Sequence, residues 1–371
     1  MPEMATALVQ TGPRALETRT FPLPRLDEGS ALLRVEACGM CGSDLEYYAG
    51  VEVINASHYP RILGHEVVGI IEDLGPRAEN RKGLKVGDRV ALDPILSCGT
   101  CRMCMIDPNR MFCQGYPFKP AFYGAIPTTV EPSLWGGYAT HVYVHPHAVL
   151  YPFPAEVSAL TATLWNPLAA GIQWADIAPG TAVGTSIAIL GAGQRGLSAV
   201  IAARSAGASL IVVTGLSKDE HKLELAREFG ADVTIDVERE DLIDELHKLT
   251  NGLGVDVVVD MSAGATKPVS DAIDIVRPGG HIVYYGIKAK TVPEFPIDRA
   301  IFKGVTMQAA TGLSRDSFRR ATELIIAGRF PIDKLRTHVF GMAHVERAMD
   351  VLAGNDPNER ALNVVLTPDF D

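Results

Sequence analysis

A glycine-rich turn between a short apolar strand and a helix constrains the fold of this chain more than any other feature. Residues 186–190 read SIAIL and lead into the run Gly-Ala-Gly-Gln-Arg-Gly at 191–196, after which residues 197–205 have helical spacing. The glycines Gly191, Gly193 and Gly196 allow a tight turn and the close approach of a pyrophosphate, whose charge the helix N-terminus favours. Strand, turn and helix together predict a dinucleotide-binding unit.

The alternation of strands and helices continues after this turn. Such alternation indicates βαβ units around a parallel sheet, here a doubly wound sheet of the α/β class. The predicted strands are 210–214, 255–260 and 281–285, and the predicted helices are 223–229, 242–249 and 268–276.

The chain on either side of this region has a different pattern. Up to about residue 160 it reads as short strands separated by Gly, Pro and Asp, which predicts a β-rich first domain. After Pro296 a helical stretch at 317–328 and a strand at 362–366 do not continue the alternation. The length of 371 residues agrees with two or three domains of about 150 residues each.

Charge and hydrophobicity exclude several classes of protein. Lys and Arg total 34 and Asp and Glu total 44, so the formal net charge is −10, which argues against a nucleic-acid partner. No apolar run reaches the roughly 18 residues that span a bilayer, and residues 1–16 lack the pattern of a secretory signal. We expect a cytoplasmic protein with no membrane partner.

Four of the six cysteines have the spacing of metal ligands. Cys98, Cys101, Cys104 and Cys113 lie within sixteen residues, three of them in CxxC steps. Four thiolates suit tetrahedral Zn²⁺ and fill its coordination shell, so this metal would brace a loop. The alternative is a redox-active CxxC or a chance cluster.

A second constellation combines different donor types. Cys41 begins the run Cys-Gly-Ser-Asp, and His65 and Glu66 follow about twenty residues later. Three such donors leave a coordination position for water or a substrate oxygen, as in a catalytic zinc site that lowers the pKa of a bound alcohol. Ser43 could then take the alcohol proton, and Asp44 could orient the His65 ring. The alternative for a histidine beside a strand is ordinary packing.

Two further residues near these motifs have open interpretations. Cys38 lies three residues before Cys41, and we expect it to be a small buried side chain. Arg195 is in the first turn of the helix after the glycines, where it could pair with a pyrophosphate or lie exposed on the surface.

The residues that would contact the adenosine ribose do not indicate one cofactor. NAD specificity usually shows as an acid at the end of the second strand, but that strand ends at Gly215. Ser217 and Lys218 then offer a donor and a positive charge to a 2′-phosphate, while Asp219 and Glu220 offset them. NADP tolerance is the sharper hypothesis, and the preference between NAD and NADP stays open.

Taken in order, these motifs resemble the zinc-dependent medium-chain alcohol dehydrogenase family, on its sorbitol and threonine dehydrogenase side. The resemblance includes Gly-Asp-Arg-Val at 87–90 and covers nearly the whole chain. It implies a GroES-like catalytic domain at 1–165 with a zinc lobe at 95–115, a Rossmann NAD(P)-binding domain at 166–303, and a return to the catalytic domain at 304–371. It also implies an active site in the cleft and a homodimer or homotetramer.

The resemblance assigns roles to the residues already singled out. Cys41, His65 and Glu66 would hold a catalytic zinc, with Ser43 as the relay hydroxyl, and the four-cysteine lobe would hold a second, structural zinc. Gly286 and Ile287 would lie on the nicotinamide side of the pocket. The chain would then interconvert a primary or secondary alcohol and its carbonyl compound with NAD(P).

Four departures from the family pattern affect this assignment. Asn166 stands where Glu or Cys often binds the zinc or its water, so it is a possible near-ligand or a helix cap. Glu46 stands where a relay His is frequent. The last spacing of the cysteine lobe is one residue longer than usual, and the loop after Gly215 is about two residues longer.

The substrate is the least constrained prediction. Aromatic residues favour an apolar or cyclic secondary alcohol, although ordinary core packing explains them equally well. A polyol dehydrogenase is an alternative within the enzymes, and a non-catalytic NAD(P)-binding zinc protein that acts as a sensor or scaffold is the alternative outside them. The aromatic residues are Tyr47, Phe118, Phe122, Trp135 and Trp165.

Overall fold

The computed structural model describes residues 3–51, 59–79, 83–106, 110–118, 121–288, 294–356 and 358–371. The chain forms two compact units. The split unit contains Met1–Asn166 and Thr322–Asp371, and the central unit contains Pro167–Ala321.

The split unit is built mainly from antiparallel strands, although β15 and β16 pair in parallel. One sheet has three strands in the order β2-β1-β4, and the other has the order β15-β16-β3-β5-β6-β8, with β7 beside β3. The strands are β1 Met4–Gly12, β2 Ala15–Pro22, β3 Ala31–Met40, β4 Arg61–Ile62, β5 Glu66–Leu74, β6 Arg89–Leu92, β7 His141–Val144, β8 Leu150–Phe153, β15 Arg336–Gly341 and β16 Asn363–Thr367. The helices assigned wholly to this unit are α1 Gly42–Ala49, α2 Arg102–Ile106, α3 Ala159–Ala162 and α11 Val345–Ala353.

Burial explains why both chain ends belong to this unit. β3 is apolar over most of its length, and β16 has the sequence NVVLT with its first four residues buried. β16 pairs antiparallel with β3, with Val365 opposite Gly39. The C-terminal strand therefore completes a sheet that the N-terminal part begins.

The central unit is a parallel sheet with helices between its strands. The strand order is β11-β10-β9-β12-β13-β14, and each neighbouring pair is parallel. The order reverses between β9 and β12, which is the switch point of a Rossmann sheet. The strands are β9 Ser186–Leu190, β10 Leu210–Gly215, β11 Val233–Asp236, β12 Val255–Asp260, β13 Val276–Tyr284 and β14 Thr306–Ala309. Two helices cross the boundaries of this unit, α4 Trp165–Ile172 and α10 Arg315–Ala327. The helices wholly within it are α5 Gln194–Ala206, α6 Glu220–Phe229, α7 Leu242–Leu249, α8 Lys267–Ile275 and α9 Ile297–Lys303.

The predicted fold class is confirmed, with GroES-like and Rossmann-type domains, but one expected boundary differs. The return to the first domain was expected at 304, whereas β14 pairs with β13 and so extends the Rossmann sheet to Ala309. The split between the two units lies at Thr322, within α10. The short strand β14 was missed because its four residues are all exposed, which removes the apolar signal of a strand.

Within the described residues, no helix is long and apolar enough to cross a membrane.

Candidate active site and metal centres

Two strands bring Cys41, His65 and Glu66 together. Gly39 of β3 pairs with Glu66 of β5, so the end of one strand meets the start of the other. Cys41 directly precedes α1, and His65 directly precedes β5. One ligand atom from each of the three side chains lies within 4.8 Å of the others, and all three residues are buried.

Gly39 is needed at this point for steric reasons. A Cβ at this position would collide with the Glu66 carboxylate, so the absence of a side chain lets Glu66 lie against the backbone of β3.

Asp44 connects two members of this trio. Its Oδ2 accepts a hydrogen bond from the Cys41 N–H at 2.8 Å, and its Oδ1 lies 3.6 Å from Nδ1 of His65. Because Asp44 is on the Nδ1 side of the ring, Nε2 is the nitrogen that suits a metal. Asp44 thus lies beside both Cys41 and His65, and its orienting role stays a prediction.

Burial and charge shift the proton affinities around the trio. Burial lowers the pKa of His65, but the Asp44 carboxylate and a hydrogen bond with Cys41 raise it, so the result is well above its ordinary value. Burial, together with the Asp44 charge, raises the pKa of the Cys38 thiol and of the Tyr138 hydroxyl well above their ordinary values. The donor set of one thiol, one imidazole and one carboxylate fits Zn²⁺, which would replace the proton on the ring and the thiol.

The remaining predicted residues of this region lie at defined positions. Ser43 is partly buried in the first turn of α1, and its hydroxyl has no hydrogen bond to any residue in the described ranges. Asn166 is buried and is the second residue of α4, so it does not precede that helix as an N-cap would. Glu46 is partly buried in α1. Cys38 packs with its Sγ against Gly64 and Gly137, as expected for a small buried side chain.

The four cysteines of the lobe form a second cluster. The sulfurs of Cys98, Cys101, Cys104 and Cys113 all lie within 4.8 Å of one another, and the Cys98 and Cys104 sulfurs are 4.0 Å apart. Tetrahedral Zn²⁺ with Zn–S bonds of about 2.3 Å places its sulfurs about 3.8 Å apart. None of the six cysteines forms a disulfide.

Backbone amides around the lobe point toward the sulfurs. The amides of Cys101, Gln114 and Gly115 donate to Sγ atoms at 3.3 to 3.4 Å. Hydrogen bonds from Thr100 and from the Cys101 amide lower the pKa of Cys98 to about 5, whereas burial raises the pKa of Cys104 to about 12. Amide donors favour thiolates, so the lobe is suited to a cation at its centre.

The glycine-rich turn has the geometry that close approach of a ligand requires. Gly191 has φ of +106°, and Gly193 is the N-cap of α5. A Cβ on Gly193 would meet nothing within 4 Å, while a Cβ on Gly196 would strike the carbonyl oxygen of Gly191. The turn therefore leaves open space at the helix N-terminus, as the sequence predicted.

Arg195 is not simply a surface residue. Its guanidinium carbon lies 5.0 Å from the ring centroid of Tyr285 and 5.4 Å from that of Trp174. These two rings stack on each other with an interplanar angle of 19°. A guanidinium over aromatic faces is a favourable cation–π arrangement, and it places a positive charge in the first turn of α5.

A buried ion pair that the sequence analysis missed lies beside Gly286. Lys288 Nζ is 2.7 Å from Asp260 Oδ2 and donates to the Ser262 carbonyl oxygen at 2.6 Å. A Cβ on Gly286 would collide with that same carbonyl, and Ile287 is exposed. The position of Asp260 at the carboxyl end of β12, beside the switch point, was the signal that could have identified it.

The residues after β10 are engaged by acids. Gly215 ends the strand as predicted, and Ser217 donates through its hydroxyl to Asp236 at 2.6 Å and through its amide to Glu238 at 2.8 Å. Lys218 is exposed. Ser217 was predicted as a donor for a 2′-phosphate, but both of its donors are already directed at carboxylates.

The aromatic residues separate into two groups. Phe122 packs against the His65 ring at a centroid distance of 5.1 Å and is only partly buried. Trp135, Trp165 and Tyr47 are at most 3% exposed and lie in the interior, and their role as pocket walls stays a prediction. Phe118 packs on Trp135 at a centroid distance of 6.0 Å. Phe122, through its contact with His65, lies beside the Cys41, His65 and Glu66 trio.

Two family models match separate parts of the chain. The alcohol dehydrogenase GroES-like domain matches residues 27–155, and the zinc-binding dehydrogenase model matches residues 196–327. The first match lies within the split unit, and the second lies mostly in the central unit and extends six residues past Ala321.

Individual proteins are similar to the chain over nearly its whole length. A probable alcohol dehydrogenase of Mycobacterium tuberculosis is 40% identical over 98% of both chains. An L-idonate 5-dehydrogenase of Vitis vinifera is 30% identical over 92% of this chain and 90% of its own length. A zinc-binding dehydrogenase of Sinorhizobium meliloti solved with NADP has a TM-score of 0.84 at 25% identity, covering 99% of this chain and all of that one. The chain therefore belongs to the zinc-dependent medium-chain alcohol dehydrogenase family, whose members are NAD(P)-dependent oxidoreductases.

Proposed function

We propose that this protein interconverts a secondary alcohol and its ketone with NAD(P), using a zinc ion held by Cys41, His65 and Glu66. One observation carries the proposal. These three donors come from two segments, one just before α1 and one at the start of β5, and they meet, buried, within 4.8 Å of one another in a zinc-binding dehydrogenase.

Each residue of the site has a distinct task in this proposal. When bound, zinc supplies Lewis acidity that lowers the pKa of the substrate hydroxyl. Ser43, whose hydroxyl has no partner among the described residues, accepts that proton and passes it outward. Asp44 holds the Cys41 amide and the Nδ1 side of His65, which keeps both ligands in position. Asn166 is a possible near-ligand that would hydrogen-bond a water.

The lobe of Cys98, Cys101, Cys104 and Cys113 holds a second zinc in this proposal. Four thiolates close the coordination shell, so the lobe contributes to stability and takes no part in proton transfer.

The dinucleotide binds at the carboxyl edge of the central sheet. Its pyrophosphate meets the N-terminus of α5 at Gly191, Gly193 and Gly196, where the amides and the helix dipole favour an anion. Arg195 adds a cation there. Gly286 and Ile287, after β13, contact the nicotinamide side.

For the substrate, the contact of Phe122 with His65 supports an apolar group near the reacting carbon. A polyol is the second candidate, because relatives include a sorbitol dehydrogenase of Bacillus subtilis, 29% identical, and the L-idonate 5-dehydrogenase. Phe122 offers no hydrogen bond to the hydroxyls of a polyol, so we favour the apolar alcohol.

We also propose that the chain is a homodimer or homotetramer in the cytoplasm. β14 is the edge strand of the central sheet and is exposed throughout, and Ile301 and Phe302 of α9 are 64% and 91% exposed. An exposed edge with apolar neighbours suits pairing with a second copy, which light scattering would detect as a multiple of 39.8 kDa. Six cysteines without a disulfide suit a reducing compartment.

The function is tested by assaying the purified protein against a panel of alcohols while monitoring reduced nicotinamide, together with zinc analysis. We expect turnover of secondary alcohols with apolar substituents and two zinc ions per chain. Strong turnover of sorbitol with none of the apolar alcohols would replace our substrate with a polyol. One zinc per chain and no turnover would contradict the enzyme and support a sensor or scaffold.

A further inference from the structure

In this chain, a glycine occupies the position from which an acid usually recognises the cofactor ribose, and a side chain there would crowd a neighbouring helix. Gly215 ends β10, where an Asp or Glu would accept a hydrogen bond from the 2′-hydroxyl. A Cβ on Gly215 would lie 3.0 Å from Cδ2 and 3.2 Å from Cγ of Leu223 in α6. A longer side chain would therefore have to displace Leu223, so this strand end does not supply the acid.

The neighbouring strand places a carboxylate beside this position. Asp236 is the last residue of β11 and is the register partner of Gly215 in the parallel pair. Register partners on adjacent strands are about 4.8 Å apart, and their side chains point to the same face of the sheet. Asp236 is thus one strand spacing from the position where the usual acid would stand.

Asp236 is hydrogen-bonded to the loop that follows β10. The Ser217 hydroxyl donates to Oδ2 of Asp236 at 2.6 Å, and the Glu238 N–H donates to its Oδ1 at 3.0 Å. The hydrogen bond from Ser217 lowers the pKa of Asp236, so the carboxylate is charged at neutral pH. The Ser217 amide donates to Glu238 at 2.8 Å, so a second carboxylate faces the same loop.

This arrangement discriminates between a hydroxyl and a phosphate. A ribose 2′-hydroxyl is a donor, and a carboxylate accepts its hydrogen bond. A 2′-phosphate is a dianion that would meet two carboxylates and would find both donors of Ser217 already occupied.

The nearby cations do not reverse this preference. Arg239 has its Nε 3.3 Å from Oδ2 of Asp236, so it is engaged with the carboxylate that a phosphate would have to displace. Lys222 pairs with Asp219 at 2.7 Å, and Lys218 is exposed.

We propose that Asp236, assisted by Glu238, makes this protein select NAD over NADP, in place of the acid that Gly215 lacks. This inference rests on the proposed function, because it requires the dinucleotide to bind at the glycine-rich turn. The proposed preference for NAD differs from the NADP tolerance that the sequence suggested, because the acid is supplied by β11 rather than by the end of β10.

Calorimetric titration of the zinc-loaded protein with NADH and with NADPH tests the proposal without any alcohol. We expect NADH to bind about tenfold or more tightly than NADPH. Asp236→Ser combined with Glu238→Gln should shrink that ratio about tenfold, mainly through tighter NADPH binding. Glu238→Gln alone should reduce the ratio of NADH to NADPH affinity by about threefold. Because Glu238 is exposed, this single variant tests the proposal if the double variant does not fold.

Asp256→Asn is the matched control. Asp256 also accepts a hydrogen bond from a serine hydroxyl at 2.6 Å and pairs with an arginine, but it lies near the amino end of β12. This variant should leave the ratio of the two affinities unchanged.

Several results would overturn the inference. Equal or tighter binding of NADPH to the wild-type protein, with alcohol turnover intact, would refute it while the proposed function stands. The inference would also be refuted, with the proposed function intact, if Arg239→Gln weakened NADPH binding about tenfold more than NADH binding. Arg239 would then bind the 2′-phosphate of NADPH. Binding of neither dinucleotide would overturn both this inference and the proposed function.

Discussion

The two clusters of metal donors differ in how the chain builds them. The lobe takes four thiols from within sixteen residues, and three of its cysteines are only partly buried. The trio takes Cys41, His65 and Glu66 from two sides of a strand pair, and these residues are 3%, 4% and 0% exposed. The trio therefore lies in the buried interior of the split unit, whereas the sulfurs of the lobe are held on a more exposed loop. We therefore expect loss of zinc from the trio to reduce activity, and loss of zinc from the lobe to reduce the stability of the fold.

The largest effect is expected from Cys41→Ser. Losing a thiolate ligand from a site of three donors should reduce kcat/KM more than about a thousandfold, with a change in melting temperature of less than about 3 °C. Steady-state kinetics and a thermal melt measure the two quantities. Cys38→Ala is the matched control, because Cys38 is an equally buried thiol three residues away, and it should retain most of the activity. Near-normal turnover by Cys41→Ser would remove the basis for a catalytic metal at the trio.

An intermediate effect is expected from Asp44→Asn. The amide can still accept a hydrogen bond from the Cys41 N–H, but it loses the negative charge beside Nδ1 of His65. Loss of such a partner commonly reduces metal affinity or activity about 10- to 100-fold. Competitive zinc titration and kcat/KM should change together, whereas Asp88→Asn, at a turn of the same unit, should change neither. A fall in stability without a change in zinc affinity would mean that Asp44 only stabilises the start of α1.

The smallest effect on activity is expected from Cys104→Ser in the lobe. The protein should lose one zinc of two and melt at least about 5 °C lower, while kcat/KM at 25 °C stays within about threefold of the wild type. Zinc analysis, a thermal melt and kinetics measure these changes. If activity fell as far as in Cys41→Ser, the contrast between the two clusters would be wrong.

Local sequence was enough to predict much of the site. The spacing of the lobe cysteines and the glycines of the turn specify geometry over a few residues, so both appear in the structure as expected. Strands such as β9 and β12 were predicted because they are buried on both faces and read as apolar runs.

Other features depend on which strands lie side by side. Asp236 contacts Ser217 because β10 and β11 pair in one register, and nothing in the 18 intervening residues signals this contact. The burial of Trp135 and Trp165, 2% and 0% exposed, likewise follows from tertiary packing. The extension of the central sheet to β14 was likewise invisible, since an exposed edge strand has no apolar alternation.

The sequence by itself determined the family, the two-part α/β organisation and the identity of the seven metal-binding candidates, because each depends on residue type and short spacing. The tertiary structure decided which acid lies beside Gly215, where Arg195 lies, and where the chain returns to its first unit. These depend on strand register and side-chain packing between segments far apart in the chain, which residue order alone does not encode locally.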